Sequence, residues 1–212
     1  MKRFLTHSFF PDGQPALICR NIFYNNSKPV YLQGFEDFET LDARMNAASP
    51  KARTATYQQI AILIDHFVAA SVIMKERFFS QLIFSFLIAN ASEHMKNFGL
   101  VKTSRNDLTL APLFNMLCTR LHELGPELAA PGGLYEGDSD TPEFREYGHY
   151  TRNEFTAFGR RIGIAPARVE KILDQFVKEN NQANELIDQA FLPMEAKNII
   201  RYNFMERSYR LK

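Results

Sequence analysis

The apolar positions of this chain change period twice, dividing it into an extended start, a helical body and a short extended insert. Phe9-Phe10, the turn-forming Pro11-Asp12-Gly13, and Ala16 to Phe23 with the β-prone Leu17, Ile18, Ile22 and Phe23 predict two strands around a turn. Asn25-Asn26-Ser27-Lys28-Pro29 breaks that pattern. From about Thr56, Ile60, Ile64, Phe67, Val68, Ile73, Phe79, Ile83, Phe86 and Leu87 recur at helical spacing, which predicts at least two long helices between residues 56 and 90. Phe98 to Val101 and Leu108 to Leu110 then read as two strands joined by the turn cluster Thr103-Ser104-Arg105-Asn106-Asp107.

Residues 125–142 are rich in Gly, Pro and Asp and predict irregular chain. Thr151-Arg152-Asn153-Glu154 is a capping box opening a helix that ends near Gly163, and Pro166 suits the first turn of the next. The tail from Asn184 to Arg210 holds at least one further amphipathic stretch, with Ile187, Phe191, Ile199 and Phe204. There is no internal repeat and no low-complexity tract.

Composition narrows the functional classes. With 45% hydrophobic residues over 212, the chain can bury a core of its own. A net charge of +1 supplies no global field for nucleic acid or an anionic membrane. Cys19 and Cys118 are too far apart in sequence to form a CxxC pair, so they suggest neither a disulfide framework nor a zinc site. The start lacks an apolar run of signal-peptide length, and Phe78 to Ala89 is too short and too interrupted to span a bilayer. Together these features point to the cytoplasm and to no membrane partner.

The chemistry-bearing segment is Ala89-Asn90-Ala91-Ser92-Glu93-His94-Met95-Lys96-Asn97, followed after the hairpin by Leu110-Ala111-Pro112-Leu113-Phe114-Asn115-Met116-Leu117. It resembles the HipA-type serine/threonine kinase toxins, whose catalytic loop reads N-x-D-x-H-x-K-N and whose metal-binding turn reads L-x-P-x-Y-D. His94, Lys96 and Asn97 stand at the family positions, and Leu110 and Pro112 introduce the second motif. Ala16-Leu17-Ile18-Cys19-Arg20, Glu36-Asp37-Phe38, Thr119-Arg120-Leu121-His122, Gly132-Gly133-Leu134 and Gly159 to Gly163 are similar to forms of this bacterial family common in Bacteroidetes. The resemblance implies a mainly α (α+β) protein: a kinase-like helical C-terminal lobe over residues 36–212, with a small internal β hairpin. Residues 1–35 would then be a remnant of the N-terminal lobe, a β hairpin and hinge, without the phosphate-covering loop and the strand lysine that precede them in the family.

Two departures decide the functional expectation. The resemblance places Ser92 at the family's proton-accepting aspartate and Asn115 at its metal-binding aspartate. Serine is no base near neutral pH without an activating neighbour, and an amide oxygen is a weaker ligand for a hard dication than a carboxylate. Asn97 matches the family's other metal-binding position, but alone it would hold magnesium poorly. The resemblance with these departures implies a pseudokinase lobe, related to toxin–antitoxin systems, that works by binding protein. No cofactor is expected, and no metal ligand set is assigned.

Several alternatives stay open. The chain could be an active serine/threonine kinase lobe completed by a separately encoded N-terminal lobe, in which case ATP and Mg would be cofactors. Glu93 could be a displaced base, although an offset of one residue turns a side chain away from the required direction. His94 and Lys96 could serve only to hold the loop. His122 and His149 read as solvated, and His66 as a surface or boundary residue. Phe158 to Ile172 has the small and apolar spacing of a helix-turn-helix, but Glu170 and Asp174 beside Arg168 and Lys171 would repel DNA phosphates, so direct DNA binding is not expected. The expected partner is a protein: a separately encoded N-terminal lobe, an antitoxin, or a second copy of this chain, docking around Ile18, Ile22, Phe23 and the loop Asn90 to Asn97.

Overall fold

The computed structural model describes residues 5–9, 15–19, 34–47, 55–103, 105–178 and 180–212, with only the backbone for the first two stretches. The chain divides into two compact units, Met1–Gly34 and Phe35–Lys212. In the first, β1 (Leu5–Phe9) pairs antiparallel with β2 (Pro15–Cys19), with Leu5 opposite Cys19 and Phe9 opposite Pro15. β1 begins earlier than Phe9-Phe10 suggested, because the alternation in Leu5-Thr6-His7-Ser8-Phe9 is carried by a mixed-polarity segment, whereas β2 covers the described part of the Ala16 to Phe23 reading. The Pro11-Asp12-Gly13 turn, Ile22, Phe23 and the Asn25 to Pro29 breaker lie outside the described residues, as does the side chain of Ile18.

The second unit is mostly helical, with one antiparallel sheet. β3 (Phe35–Asp37), β4 (Gly99–Lys102) and β5 (Leu108–Leu110) lie in that order, with Glu36 opposite Leu100 and Leu100 opposite Leu110. The internal hairpin is therefore two-thirds of a larger sheet. Glycine is required at position 99, since a Cβ there would sit 2.5 Å from Cε2 of Phe35 and 2.6 Å from the Glu36 carbonyl. Asp37 ends β3 and starts α1 (Phe38–Met45): its carboxylate accepts from the Thr40 amide and hydroxyl, both at 2.9 Å.

The two helices expected between residues 56 and 90 are α2 (Tyr57–Phe67), opened by a Thr56/Gln59 capping box, and α3 (Ser71–Leu87). Phe78, Phe79, Leu82, Ile83, Phe86 and Leu87 of α3 are all buried. The Phe78 ring meets Phe98 edge-on at 5.2 Å, which fixes α3 against the start of β4.

α4 (Pro142–Tyr147) begins at the edge of the stretch read as irregular. Thr141 caps it by accepting from Phe144 N at 3.1 Å, a signal too brief to stand out beside Asp138-Ser139-Asp140. α5 (Arg152–Arg161) starts at the Thr151/Glu154 capping box, turns at Gly163 (φ 83°) and is followed by α6 (Pro166–Lys178). The tail forms two helices, α7 (Asn180–Gln189) and α8 (Met194–Arg210). Among the described residues, no helix is long and apolar enough to cross a membrane.

Candidate functional site

Two residues past the end of α3, Ala89 has a left-handed backbone (φ 58°) that turns the chain into the loop 90–97. Thr119 fastens this corner: its amide and hydroxyl donate to the Ala89 carbonyl at 3.2 and 2.9 Å, and its hydroxyl accepts from Ala91 N at 3.1 Å. The start of the first motif is thereby tied to the chain just beyond the second.

Within the loop, side chains alternate between inside and outside. Glu93 and Met95 are buried, His94 and Lys96 are exposed, and Ser92 and Asn97 are half-buried. The Tyr57 hydroxyl donates to the Glu93 carbonyl at 2.7 Å, securing the inner side to α2, and burial raises that phenol well above its ordinary pKa. Met95 to Asn97 form a single 3₁₀ turn, with Nδ1 of His94 accepting from Lys96 N at 3.3 Å.

Asn90 is the hub. It is 3% exposed, and both ends of its amide are engaged. Its Oδ1 accepts from the Ser92 hydroxyl at 2.8 Å and the Ser92 amide at 3.2 Å. Its Nδ2 donates to Glu93 Oε2 at 2.6 Å and, at 3.4 Å, to the Asn115 carbonyl. Asn97 Nδ2 donates to the Ser92 carbonyl at 2.6 Å, and Asn115 Nδ2 donates to Asn97 Oδ1 at 3.3 Å. Asn115 is exposed and left-handed (φ 55°), a conformation that asparagine tolerates better than most residues.

The structure thus brings Ser92, Asn97 and Asn115 together, through an asparagine to which the sequence pattern assigned no role. The first N of N-x-D-x-H-x-K-N was its visible signal. The sequence-flagged His94 and Lys96 stand on the outer side of the same loop, and Lys96 Nζ lies 3.2 Å from Glu39 Oε1 of α1, with both groups exposed. Glu93 points inward, fully buried, and burial lifts its carboxyl to about 8 against the opposing Asn90 bond. One residue's offset from Ser92 places it on the other side of the loop, out of reach of a solvent-borne hydroxyl.

Of the other histidines, His66 is exposed with its ring edge-on to Phe67 at 4.6 Å, and His122 is exposed. His149 is half-buried beside Tyr147 rather than fully solvated. Cys118 is a half-buried free thiol, pushed up by burial. The helix pair α5–α6 exists, but three of the four charges weighed for DNA contact, Arg168, Glu170 and Asp174, are engaged within the protein. Arg168 grips Glu76 of α3 at 2.6 to 3.1 Å, Arg152 holds Glu170 and Asp174, and Val169, Ile172 and Leu173 are buried.

The family model for the HipA-like C-terminal domain matches residues 28–184. A Haemophilus influenzae protein described as "Putative kinase" is 23% identical over 172 residues, covering 73% of this chain and 49% of its own length. The chain therefore spans about half the length of that relative. Among solved structures, HipA in a Shewanella oneidensis MR-1 toxin–antitoxin complex with HipB and operator DNA superposes with a TM-score of 0.66 at 13% identity, covering 98% of this chain and 50% of that one. The Helicobacter pylori proinflammatory kinase CtkA gives 0.58 at 14% identity, with 97% and 70% covered. At these identities the likeness is one of fold.

Proposed function

The chain belongs to the HipA-like C-terminal domain family, and we propose that it is a catalytically degenerate member, a pseudokinase lobe that acts by binding protein rather than by transferring phosphate. The observation that supports this most directly is the destination of the Ser92 hydroxyl. It donates to a neutral, buried amide oxygen, which cannot take up a proton near neutral pH, so nothing makes Ser92 a base.

The cation-binding side of the site points the same way. Phosphoryl transfer in kinases relies on magnesium held by carboxylate and amide oxygens. Here Asn97 Oδ1 already accepts from Asn115, and the Asn97 and Asn115 side chains are both neutral. The one carboxylate of the loop, Glu93, is fully buried. These residues do not fit a magnesium ion.

The partner class follows from the fold's company. A structural neighbour is HipA bound to HipB and DNA, which supports a toxin–antitoxin setting and a protein partner, either an antitoxin or a separately encoded N-terminal lobe. Calorimetric titration of magnesium and ATP into the chain and into Ser92→Asp/Asn115→Asp tests the reading. The expected result is no heat of magnesium binding for the native chain and a measurable magnesium affinity for the double variant. Micromolar affinity of the native chain for magnesium-ATP, lost in Asn97→Ala, would overturn it in favour of an active kinase lobe.

A further inference from the structure

A surface helix of a globular domain carries one apolar stripe toward the core and polar residues elsewhere. α8 departs from this rule. Its inner side buries Phe204, Arg207, Ser208 and, just past its end, Leu211. Its outer side carries Met194 (66% exposed), Tyr202 (72%), Met205 (40%) and Tyr209 (73%), interrupted only by Asn198. At about 100° per residue these positions fall within an arc of roughly 80° running the length of the helix. An exposed apolar stripe of this kind, densest from Tyr202 to Tyr209, is what an interface looks like before its partner arrives.

The charges at the two ends of the stripe select the partner. Glu195 lies at its N-terminal end and forms no ion pair among the described residues. Lys212 lies at its C-terminal end, its ammonium 5.5 Å above the Tyr209 ring. A helix with an acid at one end and a base at the other complements itself when a second copy lies antiparallel. One register pairs the stripe from Glu195 to Lys212: Glu195 faces Lys212, Asn198 faces Tyr209, and Tyr202 faces Met205, each pair occurring twice about a two-fold axis, while Met194 lies just beyond the paired stretch. The two macrodipoles then oppose favourably, and the tyrosine–methionine pairs bring sulfur to aromatic rings.

We propose that α8 is a self-association surface through which two copies of this chain pair antiparallel about that axis. The interface is one helix wide, so it belongs with small, reversible contacts rather than obligate ones. The end charges fix direction and register more than they add affinity. This face is distinct from the one around Ile18, Ile22 and Phe23 suggested by the sequence, and it does not depend on whether the kinase site is active.

Sedimentation equilibrium of the full chain over a wide concentration range tests the proposal. The expected result is a monomer–dimer equilibrium that Tyr202→Glu weakens at least tenfold while the thermal melt stays unchanged. Glu195→Lys alone should weaken pairing, and adding Lys212→Glu should restore it, since the swap rebuilds both ion pairs reversed. A monomer at every concentration, or a dimer indifferent to Tyr202→Glu, overturns the surface. Failure of the double swap to rescue overturns the antiparallel register.

Discussion

Nδ2 of Asn90 lies 2.6 Å from Oε2 of Glu93, while the other carboxylate oxygen, Oε1, is buried with no hydrogen-bond partner among the described residues. Burial away from water raises the group's pKa to about 8, and the single donor from Asn90, which favours the anion, does not offset it.

A stability prediction follows from that rise. Because the folded pKa lies above the unfolded one of 4.5, the folded state holds the extra proton between those values. Stability should therefore be unaffected by this group below about pH 4.5, fall as pH rises toward 8, and level off above. Asp138, also raised by burial, contributes with the same sign, so the comparison must be made within one background. Glu93→Gln should flatten the decline and, at pH 8, stabilise the chain relative to wild type by on the order of 1 to 3 kcal/mol. Urea unfolding at pH 5, 6.5 and 8 measures it.

Removing the hub should cost more than removing anything at the rim. Asn90→Ala strips the partners from the Ser92 amide and hydroxyl, Glu93 and the Asn115 carbonyl together, and should destabilise by about 2 to 4 kcal/mol. Lys96→Ala breaks only an exposed ion pair with Glu39 and should change stability by less than about 0.5 kcal/mol. Chemical denaturation of the two variants side by side checks the contrast.

The α5–α6 corner allows a packing test. A Cβ at Gly159 would stand 2.7 Å from Cγ2 of Val169 and 3.4 Å from the Phe79 ring, so Gly159→Ala should cost about 1 to 3 kcal/mol. Val169→Ala in the same chain should recover part of that loss, giving a favourable coupling in a double-mutant cycle.

Most of this architecture was legible in the sequence because its signals are local. The helical spacing from Ile60 to Leu87, the Thr151/Glu154 capping box and Pro166 each act within a turn or two of themselves, and each marks an element that is present. β3 was not legible. Phe35–Asp37 is three residues long and is a strand only because β4, more than sixty positions away, pairs with it. The site divides in the same way. Ser92, Asn97 and Asn115 were visible as residues occupying motif positions, but their mutual bonds were not, since the Asn115–Asn97 contact depends on how the two loops meet. The burial of Glu93 was hidden because polarity alone gives no hint that an acid beside an exposed histidine faces the core.

If the chain is a pseudokinase, no catalytic base or cation site remains among the described residues, and phosphate transfer tests this most directly. The chain would be incubated with magnesium and ATP, alone and with a neighbour-encoded N-terminal lobe where one exists, and its intact mass and that of added protein substrates recorded by mass spectrometry. Unchanged masses are expected in every arm. Addition of about 80 Da, the mass of one phosphoryl group, by the native chain but not by Asn97→Ala would contradict the pseudokinase reading.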